Sequence, residues 1–158
     1  MTTERPRGIQ AVVLSAVVED GRILLLRRAR EPYRGFWAIP GGKIEFGETP
    51  VDAVVREARE ETGLAARFLH WGGVASETMS GPDGCVTAHF LLLVGVLAVE
   101  GGELREGPEG RLRWFSRDEV ADGGVIPTDR ELLERFVWSG SRVDVPHFAV
   151  GDAPGHSQ

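Results

Sequence analysis

The sequence has few of the residues that cross-link a protein or anchor it to a membrane. Its single cysteine, Cys85, excludes an internal disulfide, as is typical of a chain that folds in a reducing compartment. Its longest apolar stretch, residues 90–99, is shorter than the roughly 20 residues that span a bilayer, and Gly95 interrupts it. The first ten residues lack the apolar core of a secretory signal. We therefore expect a cytoplasmic protein that does not bind a membrane.

Positive charge is also scarce. The chain has 18 lysines and arginines against 24 acidic residues, which gives a formal net charge of -6. This balance argues against bulk binding of nucleic acid, which requires a basic surface. A small anionic substrate remains compatible with it if a metal ion bridges the substrate to the protein. The length of 158 residues suggests one domain, which we assign to residues 1–138, followed by a tail over 139–158 that we expect to be partly disordered.

Apolar runs and turn residues predict several strands and two main helices. Asp20-Gly21 favours a tight hairpin between the first two strands. Thr128 and Glu131 have the spacing of a capping box, which predicts a helix that continues to about Trp138. The predicted strands cover residues 9–18, 23–28, 36–39, 67–78, 85–99 and 112–115.

The clearest helix is predicted over Pro50–Thr62. Thr49 is a favourable N-cap, proline fits the first helical position, and Gly63 is a favourable C-terminal stop. Helical periodicity places four small or apolar residues on one stripe, namely Val51, Val54, Val55 and Ala58. The same periodicity gathers three glutamates at one border of that stripe, Glu57, Glu60 and Glu61, which we call the acidic ridge.

The acidic ridge has two interpretations. Taken alone, it is typical of a solvated helix face whose charges are offset by Arg56 and Arg59. The turn Pro40–Gly42 just before the helix favours the other interpretation, because its two glycines have no side chains to block a ligand. Mg²⁺ takes oxygen ligands and shares the phosphates of its substrate, so the ridge and the turn together predict a metal site.

The spacing of these residues resembles the Nudix box. Gly42 is followed by five residues and Glu48, then by seven residues and the segment Arg56–Leu64. The resemblance implies an α/β fold, an α/β/α sandwich around a mixed sheet. It also implies Mg²⁺- or Mn²⁺-dependent hydrolysis of a nucleoside diphosphate linked to another group. By the same resemblance the metal ligands are the acidic ridge and the Gly41 carbonyl, while Arg56 orients the glutamates and Glu48 pairs with Arg56.

The resemblance leaves the general base open. Glu57 is our first choice, because it can sit beside the metal and accept a proton from water. Some family members use a glutamate in a later loop, which here corresponds to residues 101–110 and contains Glu106 and Glu109. Either of these could act as the base, act as a further metal ligand, or be an ordinary solvated charge.

Three residues are candidates for contact with the substrate. Arg27 and Arg28 are neighbours on a strand and so point to opposite faces, and the resemblance favours Arg28 as the phosphate ligand. Arg34 is a weaker phosphate candidate. Trp37 could stack on a base, although core packing is the more common role of such a residue.

The choice among substrates rests on weaker signals. Pro82 lies in the region where ADP-ribose pyrophosphatases often carry a proline, while the only tyrosine, Tyr33, precedes the box. Because the chain has no asparagine, it cannot copy the recognition of an oxidised guanine by MutT-type enzymes. We expect ADP-ribose or a related nucleotide sugar first and hydrolysis of a (d)NTP second. A non-catalytic nucleotide-sensing module is the alternative of another class, and a homodimer is compatible with the resemblance.

Overall fold

The computed structural model describes residues 8–152, which form one mixed sheet of seven strands flanked by helices. The strands are β1 (Gln10–Glu19), β2 (Arg22–Arg28), β3 (Trp37–Ala38), β4 (Gly41–Lys43), β5 (Leu64–Ser80), β6 (Val86–Gly102) and β7 (Gly110–Phe115). The helices are α1 (Pro50–Thr62), α2 (Arg117–Asp122) and α3 (Pro127–Leu133), and α3 continues into a π-helical segment, Glu134–Trp138.

Strand β1 lies at the centre of the sheet. It pairs in parallel with β6 and antiparallel with both β2 and β4. Strand β5 lies outside β6, and β7 and β3 both pair with β2. Since β1 is covered on both faces, nearly all of its middle residues are apolar, as expected for a fully buried strand.

The core consists of two layers separated by the sheet. One layer packs under α1 and includes Val13, Val17, Leu24, Val54 and Leu97. The other packs under α2 and α3 and includes Leu14, Ile23, Leu25, Phe115 and Leu133. Consecutive residues of β1 and β2 alternate between the two layers, as the pleat of a strand requires. The structure therefore confirms the predicted α/β/α sandwich around a mixed sheet.

The hairpin between β1 and β2 forms as predicted. Asp20 and Gly21 both have positive φ, 49° and 74°, which is the signature of a type I′ turn. The turn aligns Val18 with Ile23 and Glu19 with Arg22. Strand β5 is longer at both ends than the sequence predicted. Strand β6 begins one residue later than predicted, at Val86, and continues three residues further, to Gly102.

Two predictions about local structure are wrong. The pair Gly41-Gly42 is a strand rather than only a turn, because β4 pairs with β1 across Val12–Leu14. Helix α3 begins at Pro127 with Ile126 as its N-cap and has no side-chain cap, so Thr128 and Glu131 do not form a capping box. Proline has no N–H to cap and a fixed φ, so it starts this helix instead.

After Trp138 the described chain contains no helix or paired strand beyond a single bridge. The Val143 N–H donates to the Trp71 carbonyl at 3.0 Å, and Val145 packs against the core layer under α1. Part of the predicted tail, residues 153–158, lies outside the described residues. In the region 8–152, no helix is long and apolar enough to cross a membrane.

Candidate active site

Helix α1 has the bounds and both caps that the sequence predicted. The Thr49 hydroxyl accepts a hydrogen bond from the Asp52 N–H, and Gly63, with φ of 80°, donates to the Arg59 carbonyl. The inward face of the helix differs from the prediction, however. Its most buried residues are Ala53, Val54, Ala58 and Thr62, while Val51 is exposed.

Compared with the prediction, the helix is rotated about its axis, so the three glutamates of the acidic ridge differ in burial although they stay close together. Glu57 and Glu61 lie on the inward side of α1, and Glu61 bonds to the Gly41 N–H at the start of β4. The side chain of Glu60 is 58% exposed, yet its carboxylate bonds to the same Arg56 Nη1 as that of Glu57. The predicted ridge is therefore two partly buried carboxylates and one exposed carboxylate.

Arg56 connects the carboxylates of the site. Its Nε and Nη2 donate to the two oxygens of Glu48 at 2.7 and 2.9 Å. Its Nη1 donates to Glu57 at 2.9 Å and to Glu60 at 3.1 Å, and Nη2 also reaches the Lys43 carbonyl at 3.2 Å. The guanidinium is planar and fork-shaped, so these bonds fix its orientation and that of its partners. The hydrogen bond from Arg56 lowers the pKa of Glu48 below its usual value.

Glu57 lies directly against the backbone of Gly42. Its side chain is only 12% exposed, and a Cβ placed on Gly42 would overlap its carboxylate. Burial raises the pKa of Glu57, while the hydrogen bond from Arg56 opposes this rise. Glycine at this position thus creates the space that the carboxylate occupies.

Glu61 approaches the other glycine. It accepts a hydrogen bond from the Gly41 N–H at 2.9 Å. Burial raises the pKa of Glu61 to about 8; the negative charges of Glu57 and Glu109 add to the rise, and Arg28 opposes it. Glu109 lies in the loop before β7 and shares a small cavity with Glu61, Gly41 and Arg28. We call this the carboxylate cavity.

The structure distinguishes the two loop glutamates that the sequence left equivalent. Glu109 lines the carboxylate cavity. Glu106 is exposed and accepts a hydrogen bond from the Leu112 N–H at 3.2 Å, which holds it along the start of β7. Of the two loop glutamates, it is therefore Glu109 that lies beside Glu61.

The donor chemistry of this region fits a divalent cation. Glu57, Glu61 and Glu109 offer carboxylate oxygens, which Mg²⁺ and Mn²⁺ prefer. Burial raises the pKa of Glu61 and the charges of Glu57 and Glu109 add to the rise, so a cation beside these groups would favour the ionised carboxylate. Within the described part of the chain, no three acidic, histidine or cysteine side chains already surround one point as a closed ligand set. These residues therefore supply oxygen ligands for a cation, but their side chains do not form a closed ligand set.

Arg28 stands between the carboxylate cavity and a larger one. The larger cavity has a volume of about 320 Å³ and extends across the face of the sheet beneath α3. Four residues line both cavities, Arg28, Ala38, Ile39 and Gly41. We call the larger one the sheet cavity. The gap between β3 and β4 at Ile39–Pro40 is thus the point where the two cavities meet.

The other predicted contact residues lie elsewhere. Arg27 points away from Arg28, and its Nε donates to the Gly35 carbonyl at 3.1 Å. Arg34 is exposed in the loop after β2 and lines neither cavity. Trp37 packs edge-on against Phe115, with ring centroids 5.0 Å apart, in the core layer under α2 and α3. Of its two candidate roles, the structure places Trp37 in core packing.

Three residues of the sheet cavity were missed by the sequence analysis: Tyr33, Glu77 and Asp129. Asp129, in the first turn of α3, accepts a hydrogen bond from the Ile39 N–H at 2.8 Å. Burial raises the pKa of Asp129 to about 7, with Glu77 adding to the rise and Arg28 opposing it. No spacing in the sequence links these residues, which come from a loop, a strand and a helix. Only the fold brings them together.

Comparison with known proteins identifies the family. The NUDIX domain family matches residues 6–136, which is most of the chain. The chain belongs to the Nudix family. It is 41% identical over 102 residues to a protein of Methanocaldococcus jannaschii named ADP-ribose pyrophosphatase, a match that covers 64% of this chain and 58% of that protein. The present chain therefore spans less than two thirds of the length of that relative.

Two further Nudix relatives cover more of their own length. A putative 8-oxo-dGTP diphosphatase 2 of Mycobacterium tuberculosis is 34% identical over 139 residues, which are 86% of this chain and 95% of that protein. The crystal structure of a MutT NUDIX hydrolase from Burkholderia pseudomallei has a TM-score of 0.71 and 31% identity, and the match covers 82% of this chain and 98% of that one. These matches confirm the predictions of family, fold class and a hydrolase of pyrophosphate bonds.

Proposed function

We propose that this Nudix hydrolase uses Mg²⁺ or Mn²⁺ to cleave the pyrophosphate bond of a nucleoside diphosphate linked to another group. ADP-ribose or a related nucleotide sugar is the proposed substrate class. The main observation behind the proposal is the junction of two cavities at Arg28 and Gly41. The smaller cavity contains two glutamates and two arginines, and the larger one is lined by mostly apolar side chains. A substrate with a charged pyrophosphate and a bulky nucleoside matches this pair of environments.

The metal would be held beside the carboxylate cavity by the acidic ridge, Glu57, Glu60 and Glu61, and by the Gly41 carbonyl, with Glu109 as a further ligand. When bound, a divalent cation neutralises phosphate charge and makes water a stronger nucleophile. One oxygen of Glu60 bonds to Arg56 at 3.1 Å, and within residues 8–152 its other oxygen makes no hydrogen bond and is available to the cation. A cation beside Glu61 would favour its ionised form and so oppose the rise in pKa that burial causes.

The chain's own side chains would orient the reaction. Arg56, itself fixed by Glu48, holds Glu57 in place and favours its charged form. Glu57 is the proposed acceptor of the proton from water. Glu109 is the alternative base, since it lies in the same cavity as Glu61, whereas Glu106 is turned toward Leu112.

Arg28 is the proposed phosphate ligand. Its Nε is engaged with the Pro32 carbonyl at 2.6 Å, and in residues 8–152 no hydrogen bond uses its two Nη atoms. Those atoms are therefore available to oxygens of a pyrophosphate at the junction of the cavities. Arg34 lies too far out in its loop to line that junction and is a candidate only for a distal part of the substrate.

A (d)NTP is the second candidate substrate. The Mycobacterium tuberculosis relative, named for 8-oxo-dGTP, covers 86% of this chain, whereas the ADP-ribose relative covers 64%. A non-catalytic sensing module is less well supported, because every glutamate of the box is present. Kinetics on a panel of both substrate classes separates these candidates.

The test is a hydrolysis assay with Mg²⁺ or Mn²⁺, using ADP-ribose, other nucleotide sugars and (d)NTPs, with kcat/KM as the measure. We expect turnover that falls by about 100-fold or more in Glu61→Gln, because the amide can still accept from Gly41 but binds the cation poorly. The matched control is Glu100→Gln, an exposed glutamate paired with Arg67, which should remain active. Full activity in Glu61→Gln, or no hydrolysis of any substrate in the panel, would contradict the proposal.

A further inference from the structure

Tyr33 is the one aromatic residue of the loop 30–36 that lines the sheet cavity. Its relative exposure is 42%, and its ring packs edge-on against Phe36 with centroids 5.6 Å apart. Phe36 therefore supports the ring from one side, while the residue keeps considerable contact with solvent at the cavity mouth. Trp37, the aromatic residue expected to stack on a base if any did, is occupied in the core.

The backbone of Tyr33 has a conformation that is unusual for a bulky residue. Its φ is 62°, in the left-handed region that costs non-glycine residues free energy. Such a conformation persists only where neighbouring contacts impose it. Here the chain is held on both sides of Tyr33, since Arg28 donates to the Pro32 carbonyl at 2.6 Å and Arg27 donates to the carbonyl of Gly35, two residues further on, at 3.1 Å.

Arg28 thereby connects Tyr33 to the phosphate end of the site. Its Nε fixes the residue before Tyr33, while its side chain also lines the carboxylate cavity. A nucleotide whose phosphate lies at Arg28 would extend its nucleoside into the sheet cavity. The walls there include Tyr33, Met79 and Phe90, which offer apolar and aromatic surface.

We propose that Tyr33 stacks on the nucleobase of the bound nucleotide and supplies affinity for the nucleoside, independently of the metal and of catalysis. The location of the nucleotide rests on the proposed function, but the stacking contact has its own test. Aromatic stacking tolerates different bases because every base has a π-face, so Tyr33 would distinguish nucleotides from compounds without a base. A purine, with its larger face, would bind more tightly than a pyrimidine.

The test measures dissociation constants for two unreactive probes, AMP and ribose 5-phosphate, which differ only by the base. Tyr33→Leu should weaken AMP binding about 5- to 150-fold, the range expected for one stacked base, and leave ribose 5-phosphate unchanged. Tyr33→Asn should do the same, and its side chain tolerates positive φ, which separates loss of the ring from backbone strain. Tyr33→Phe should bind AMP like the wild type. Phe46→Leu, which alters a fully exposed aromatic residue outside both cavities, is the control and should change neither constant.

A direct signal is available because Tyr33 is the only tyrosine. Protein labelled with 3-fluorotyrosine should give one ¹⁹F resonance that shifts on saturation with AMP and not with ribose 5-phosphate. An AMP affinity that is unmeasurable in the wild type, or unchanged in both ring-deleting variants, would overturn the inference. If the wild type hydrolyses none of the substrates but both ring-deleting variants still lose AMP binding, the proposed function is overturned and the stacking contact is supported.

Discussion

Gly41 and Gly42 are adjacent residues of β4, yet they make space for different neighbours. A Cβ on Gly41 would overlap the Val13 carbonyl, which is backbone of the central strand and cannot move aside. A Cβ on Gly42 would overlap the Glu57 carboxylate, the end of a flexible side chain. One glycine thus permits the sheet to form, and the other permits a carboxylate to reach the site.

Substitution of each glycine by alanine should separate these roles. Gly41→Ala should lower the free energy of unfolding by about 1–3 kcal/mol, as overpacking against backbone does. Gly42→Ala should change stability by less than about 1 kcal/mol, but lower kcat/KM by about 10-fold or more by displacing Glu57. Urea unfolding and steady-state kinetics on both variants measure the contrast. A Gly42→Ala enzyme with wild-type activity would show that the position of Glu57 does not matter.

The geometry of the Arg56 guanidinium can be tested separately from its charge. Lysine keeps the charge but cannot bond Glu48, Glu57 and Glu60 simultaneously through a rigid fork. We expect Arg56→Lys to reduce kcat by about 10- to 100-fold with a smaller effect on KM, because Glu57 loses its orientation. Arg59→Lys, three residues along on the exposed side of α1, is the matched control. Equal losses in the two variants would assign the effect to the helix rather than to the fork.

At the scale of elements, helix α3 is fixed to the strand that leads into the site. The Ile126 N–H donates to the Trp37 carbonyl at 2.9 Å, and the Ile39 N–H donates to Asp129 at 2.8 Å. The first turn of α3 therefore holds the chain just before Pro40 and Gly41. This contact places a carboxyl group of raised pKa beside Glu77 and Arg28.

Asp129 should give the protein a measurable pH dependence of stability. Its pKa is about 7 in the fold and near 3.8 ordinarily, so the folded state holds the proton more tightly. The contribution of Asp129 to stability is therefore present at low pH, is lost as pH rises toward about 7, and is constant above it. The amide of Asp129→Asn would stay neutral at every pH, and its oxygen could still accept the hydrogen bond from the Ile39 N–H.

Urea unfolding of Asp129→Asn and the wild type at about pH 5 and about pH 8 measures this effect. The stability of the variant relative to the wild type should increase between these two conditions by on the order of 2 kcal/mol. Asp118→Asn, an exposed aspartate of α2, is the control and should follow the wild type. If the stability difference for Asp129→Asn is the same in both conditions, burial does not raise the pKa of Asp129.

At the scale of the whole molecule, most local signals predicted local structure correctly, although the capping box expected at Thr128 does not form, and long-range contacts were not predicted. The turn at Asp20-Gly21 and the caps of α1 depend on residues a few positions apart, and both form as predicted. Strand β4 depends on pairing with Val12–Leu14, and the rotation of α1 depends on packing against the sheet, so neither could be read from the sequence.

In the functional site, too, the features set by nearby residues were predicted and those set by long-range contacts were not. The Nudix box identified the family and its glutamates from spacing alone, within one short segment. Choosing Glu109 over Glu106 required knowing which side of a loop faces α1. Tyr33 and Asp129 are 96 positions apart by their numbers, and only the folded sheet and α3 place them around one cavity.

The buried carboxylate of Glu61 leads to a prediction for the whole fold. Burial and the nearby charges of Glu57 and Glu109 disfavour its ionised form in the folded state, and a bound cation would offset both effects. A cation that binds only the folded state should therefore raise the melting temperature, by about 2–8 °C for a metal present at 10 to 100 times its Kd. Thermal unfolding with Mg²⁺ or Mn²⁺, against NaCl at equal ionic strength, measures the shift. Glu61→Gln should lose most of it and Glu100→Gln should keep it, so an equal shift in all three proteins would show that the cation binds elsewhere.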